Sequence, residues 1–158
     1  MSVIDIELAM KHLLAEPEDQ VLVQAQLDAA EEAAMQFLQR RFFVDQAALE
    51  IALVAVPAQL AEARVAYEAA KQEAGGFDDL GDQCRLREQA RQRYGDALEA
   101  IDLDAYGIVI NAAITAACLL KLGHLFANRE EVVAGVTVAE LPLASKSLLM
   151  PYRIRMGV

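Results

Sequence analysis

Apolar positions recur along this chain every three or four residues, and no run alternates with period two long enough to build a sheet. The pattern predicts an all-α protein. A first short helix is expected from about Val3 to Leu14, with Ser2 and Asp5 at capping-box spacing and Ile4, Leu8 and Ala9 on one face. The stretch AEPEDQ breaks it, and Pro17, Glu18 and Asp19 suit the first turn of a second helix reaching about Phe42. In that helix Val23, Leu27, Ala30, Ala34, Phe37 and Leu38 form the apolar stripe, while Gln24, Asp28, Glu31 and Glu32 point away from it. Asp45 is placed to cap the next helical segment.

Residues 45–104 carry two stripes of their own. Val56, Leu60, Ala63, Tyr67, Ala70 and Ala74 step at heptad-like spacing, and Leu86, Ala90, Tyr94, Ala97 and Ile101 continue beyond GGFDDLGD. Two stripes joined by a Gly- and Asp-rich turn predict an antiparallel helical hairpin, with arms of roughly 18–22 residues or about 27–33 Å. Pro57 should kink or break the first arm. A further helix is expected from about Ile108 to Val133, apolar on nearly every side until Lys121 and stopped by Gly135. After it VTVAELP reads as extended, LASKSLL as one or two helical turns, and the terminus as an open arm.

The organisation is thus one small helical bundle, residues 1–44 and 105–135, with a long helical-hairpin insertion at 45–104 and an extended C-terminal arm at 136–158. Composition agrees: Ala, Leu and Glu abound, with only eight Gly and four Pro. The longest uncharged apolar run, Ala105 to Leu120, is shorter than the roughly 20 residues a bilayer crossing needs, so no membrane segment is expected. Asp5 and Glu7 interrupt any signal-peptide pattern. Cys84 and Cys118 have no metal or redox spacing, and Cys118 sits where a buried thiol is expected.

Charge narrows the functional classes. The formal net charge is −10, and the balance is acidic over residues 1–106 and mildly basic beyond. A domain that grips DNA would cluster Lys and Arg instead. Arg85, Arg87, Arg91 and Arg93 scatter around a helix axis and interleave with Glu88, Asp96 and Glu99, which reads as a solvated, ion-paired face.

The stretch HLFANREEVVAG (124–135) holds the densest collection of reactive groups. His124 and Asn128 share a helix face, with Glu131 three residues further. No nucleophile, second histidine or anion-binding loop accompanies them, and a zinc site would need more ligands than one imidazole. The reading is a helix end making polar contacts through His124, Asn128, Arg129 and Glu130, with no catalytic, metal or cofactor role. The terminus SLLMPYRIRMGV is apolar and basic, and Arg153 and Arg155 alternate with apolar residues as on a strand. It is expected to dock on another chain.

Taken together, AITAACLLKLGHLFANREEVVAG (113–135) and ELPLASKSLLMPYRI (140–154) resemble the tailed-bacteriophage head–tail connector (adaptor, head-completion) family. The positions that carry the resemblance are His124, Phe126, Asn128, Arg129, Glu130, Pro142, Leu143, Leu148, Leu149, Pro151, Tyr152 and Arg153. Residues 1–44 are similar to the family's opening two helices in a more generic way. Two departures stand out: Leu125–Phe126 occupies a place where a tryptophan is frequent, and the hairpin is long for the family.

The resemblance implies a structural, non-enzymatic virion protein, made in the host cytoplasm and located at the head–tail junction. Its copies would form a ring, about twelve in number, below the portal protein. The ring would contact a stopper or tail protein on its other side and pass double-stranded DNA without binding it specifically. The arm residues Pro142, Leu143, Leu148, Leu149, Pro151, Tyr152, Arg153, Ile154 and Arg155 are the expected portal or subunit interface. A DNA-binding packaging factor is the alternative.

Overall fold

The computed structural model describes residues 2–128 and 144–154. The protein is all-α, with six α-helices among the described residues and a single two-residue strand pair. Its internal contacts divide it into two units, one made of residues 1–44 and 108–158, the other of 45–107.

The first unit is a helical bundle. Helix α1 spans Ile6–Leu13, and a 3₁₀ turn at Pro17–Asp19 leads into α2, Gln20–Leu38. The start of α1 differs from the expected capping box. Asp5 is the N-cap, its carboxylate accepting from the Glu7 N–H, while Ser2 Oγ accepts from Gln24 Nε2. Both α1 and α2 stop on a left-handed residue, Leu14 at φ 52° and Gln39 at φ 59°. The second helix therefore ends at Leu38, short of the expected Phe42. Phe42–Phe43 instead forms strand β1, paired in parallel with β2, Ile108–Val109. The Ile108 N–H donates to Arg41 O at 2.8 Å and the Ile110 N–H to Phe43 O at 2.9 Å.

That ladder moves the start of the long apolar helix. Ile108 and Val109 are β-branched and feed the strand. Helix α5 begins only at Ala112, where the Asn111 carboxamide accepts from the N–H groups of Ala113 and Ile114 at 3.0 Å each. Helix α5 ends at Ala127; the expected extension to Val133 and the Gly135 stop lie outside the described residues. It is the centre of the unit, packing on α1, α2 and α6 (Ala144–Leu149). Ile114, Cys118 and Leu122 of α5 meet Val23, Leu27 and Leu38 of α2 in the core. Burial of such side chains, worth about 1.5–3 kcal/mol each, is what holds short helices together in water.

The second unit is a helical hairpin, α3 (Gln46–Ala74) and α4 (Leu80–Ala105). Asp45 caps α3 by accepting from Ala48 N at 2.8 Å, and Asp79 caps α4 by accepting from Asp82 N at 2.8 Å. Gly81 lets that cap close: a Cβ there would stand 2.9 Å from Asp79 Oδ1. The seam runs as the stripes predict, with Ala74, Ala90 and Ile101 buried and the rings of Tyr67 and Tyr94 stacked at 4.9 Å. The helices have 29 and 26 residues, longer than expected, and α3 continues through Pro57 without a break. Proline removes one N–H and loosens one carbonyl. Here its ring lies on the exposed side of the helix, where water can serve that carbonyl.

Candidate interaction site

The helix end that drew attention in the sequence is built around its own cap. Asn128 closes α5: its backbone N–H donates to His124 O at 3.0 Å and its side-chain Nδ2 to the same oxygen at 2.8 Å. The same Nδ2 lies 3.1 Å from His124 Nδ1. Both side chains are exposed. The asparagine thus satisfies a terminal carbonyl that helix geometry leaves open. One turn earlier, Leu125 O accepts from Gln26 Nε2 at 3.3 Å, which ties this end of α5 to α2. Arg129, Glu130 and Glu131 lie outside the described residues. No group of three or more His, Cys, Asp or Glu is arranged to hold a metal among the described residues.

The C-terminal segment sits on the first unit, and its first part, α6, makes the helical turns expected of LASKSLL. Leu149 is buried in the core, and Leu148 and Tyr152 pack against it. A 3₁₀ turn at Met150–Tyr152 follows, with Pro151 where a missing N–H costs nothing. Beyond it the Ile154 N–H donates to Leu38 O at 3.3 Å, and Arg40 Nη1 donates to Tyr152 O at 3.4 Å. The Arg153 guanidinium lies over the Phe37 ring at 4.9 Å, a cation–π contact.

The expectation of an open arm is therefore corrected for residues 150–154, whereas the helical turns expected of LASKSLL are present at Ala144–Leu149. The physical reason is tertiary: Leu148, Leu149 and Tyr152 fall on one side of a helical turn and pack into the core, and residues 152–154 find partners at Phe37, Leu38 and Arg40. Lys146, Met150 and Pro151 remain exposed on the same segment. Pro142, Leu143 and Arg155 lie outside the described residues.

Sequence reasoning missed Glu31. It is 2% exposed, the one buried charged residue among those described. Its Oε2 accepts from Val3 N and its Oε1 from Ile4 N, each at 2.8 Å. Burial pushes its pKa up, against the pull of those two hydrogen bonds. A signal was present: position 31 is four past Leu27 and three before Ala34, inside the apolar stripe. Nearby, burial raises the Cys118 thiol to about 12, with the Glu31 charge adding to the effect. The basic cluster on α4 is exposed, with Arg91 paired to Glu88 at 3.0 Å and Arg85 to Asp82 at 3.9 Å. Comparison of the chain with family models, with curated proteins and with solved structures gives no match.

Proposed function

We propose that this chain is a structural subunit of a head–tail connector ring in a tailed bacteriophage. In this reading its copies assemble below a portal protein, meet a stopper or tail protein on the other side, and line a passage for double-stranded DNA. The observation that carries it is the presence of two family-like segments on one small bundle: the α5 end at His124–Asn128, and the Leu148-Leu149-x-Pro151-Tyr152-Arg153 segment seated at the end of α2. The acidic balance of the chain suits a surface that DNA passes without adhering.

The geometry refines which residues do what in this reading. Leu149, Tyr152 and Arg153 seat the segment on the bundle, and the exposed Lys146, Met150 and Pro151 are the side chains it offers to a portal. The test is the mass of the protein mixed with portal rings, measured by light scattering and by co-sedimentation. About twelve copies bound per portal ring would support the reading. Absence of binding at tens of micromolar, or duplex binding that weakens steeply with salt, would replace it with another.

A further inference from the structure

The hairpin unit has very little core of its own. Ala74, Ala90 and Ile101 are the only buried hydrophobic residues of α3 and α4, and two of the three are alanines. Yet α3 bears a second apolar stripe. Ala47, Ile51, Val54, Ala58, Ala61 and Val65 step by four, three, four, three and four, about half a helical turn from the seam that packs on α4. All six are exposed, with Ile51 at 73%, Val54 at 81% and Val65 at 70%. The corresponding outer face of α4 is polar, carrying Cys84, Glu88, Gln92 and Glu99. A helix that is apolar on two opposite sides is built for two neighbours.

We infer that the second neighbour of α3 is α3 of another copy of this chain, packed antiparallel about a two-fold axis. Two independent features of the stripe fit that occupant. The first is volume. In an antiparallel pair each a-type position faces a d-type position of the other helix. The register that uses the whole stripe sets Ala47 against Val65, Ile51 against Ala61, and Val54 against Ala58, and the symmetry repeats each pairing. Every layer then holds one β-branched residue and one alanine, so no layer is overfilled and none is empty.

The second feature is charge. Glu50 and Arg64 flank the stripe on the same side, two heptads apart, with Pro57 midway between them. The same antiparallel register brings Glu50 of each copy beside Arg64 of the other. Arg64 makes no ion pair among the described residues, and Glu50 accepts only from Gln46 Nε2, at 3.1 Å. On the other flank Glu62 faces Ala48, so no like charges meet. In a parallel pair Glu50 and Arg64 would stand about 21 Å apart along the axis and never meet. The contact is isologous and closes on itself, unlike the head-to-tail contacts of a ring, so it does not depend on the proposed function.

The test is sedimentation equilibrium of the full chain and four variants, with helicity followed by circular dichroism. The intact chain should associate into a dimer at micromolar to tens of micromolar concentration. Val54→Asp, on an exposed face, should keep the helicity and lose the dimer. Glu50→Arg and Arg64→Glu should each raise the dimer Kd at least about threefold, although one lowers and the other raises the net negative charge. The double variant E50R/R64E should recover the affinity.

A chain that stays monomeric at every concentration overturns the pairing. So does an assembly that survives V54D, including a ring of the proposed kind, and so does a double swap that fails to recover what the single swaps lose.

Discussion

The carboxylate of Glu31 holds the backbone N–H of Ile4 at 2.8 Å, and with its other oxygen the N–H of Val3. One buried side chain on α2 therefore satisfies two donors of the segment that precedes α1. Glu31→Ala would leave both N–H groups without partners, at about 1–3 kcal/mol for each that water cannot reach. Glu31→Gln keeps one acceptor and sets an amide N–H against the second donor, so it should destabilise by less. Thermal unfolding of the three proteins should rank them wild type, Gln, Ala.

The pH dependence of that ranking follows from the sign of the Glu31 shift. Burial raises its pKa in the folded state above the ordinary carboxylate value. Between those two values the folded chain binds more protons than the unfolded one, so this group's contribution to stability falls as pH rises. The stability gap between wild type and Glu31→Gln should widen as pH is lowered from neutral through that window. A gap that narrows would mean that the two N–H bonds outweigh burial.

The two cysteines should separate cleanly. Cys118 is buried with its thiol raised to about 12, whereas Cys84 is exposed on α4. Since the thiolate is the reactive form, a thiol reagent at pH 8 should label one cysteine in the native protein and two after denaturation. Rapid native labelling of both would mean that the α2–α5 packing opens readily.

How much of this was readable from the chain depended on whether the signal was local. The apolar stripe of α2, the Tyr67 and Tyr94 seam, and the Asp45 cap each rest on spacing within one or two turns, and each is found where the spacing places it. The start of α5 was not readable, because Ile108 and Val109 are claimed by Phe42 and Phe43 more than sixty residues earlier, and helical periodicity carries no trace of that pairing. The seating of Tyr152 and Arg153 was not readable for the same reason: their partners are Arg40, just past α2, and Phe37 within it. Glu31 was misplaced because its charge was weighed above its position in the stripe.

The Tyr67–Tyr94 stack offers a check on the hairpin as a unit in its own right. The rings lie 4.9 Å apart with a 21° angle between planes, and Lys71 Nζ sits 5.5 Å from the centre of the Tyr67 ring. A double-mutant cycle of Tyr67→Ala and Tyr94→Ala should give a coupling of about 0.5–1.5 kcal/mol. Hydrogen exchange of the α3 and α4 amides is the suitable readout, because the two units have separate cores and a single unfolding curve would mix them. Additive effects would reduce the stack to two side chains that happen to be parallel.

The end of α1 leads to a stabilising substitution. Leu14 adopts φ 52° and ψ 36°, its N–H donates to Lys11 O at 3.3 Å, and the Ala15 N–H donates to Met10 O at 3.1 Å. These are the two bonds of a Schellman stop, a motif that usually has glycine in the left-handed position. Leu is a strong helix former, which is why the stop is invisible in the pattern. Pro17 contributes by driving Glu16 to extended geometry, φ −79° and ψ 155°, so the helix has to end before it. The Leu14 side chain is the most exposed large hydrophobic among the described residues, at 90%, so removing it should sacrifice little packing. Leu14→Gly should therefore raise stability by about 0.5–1 kcal/mol, the strain of a left-handed side chain being larger than the entropy that glycine adds to the unfolded chain. Chemical denaturation would read this as a higher midpoint at unchanged slope. A lower midpoint would mean that Leu14 is covered in the assembled protein or that its strain is already relieved.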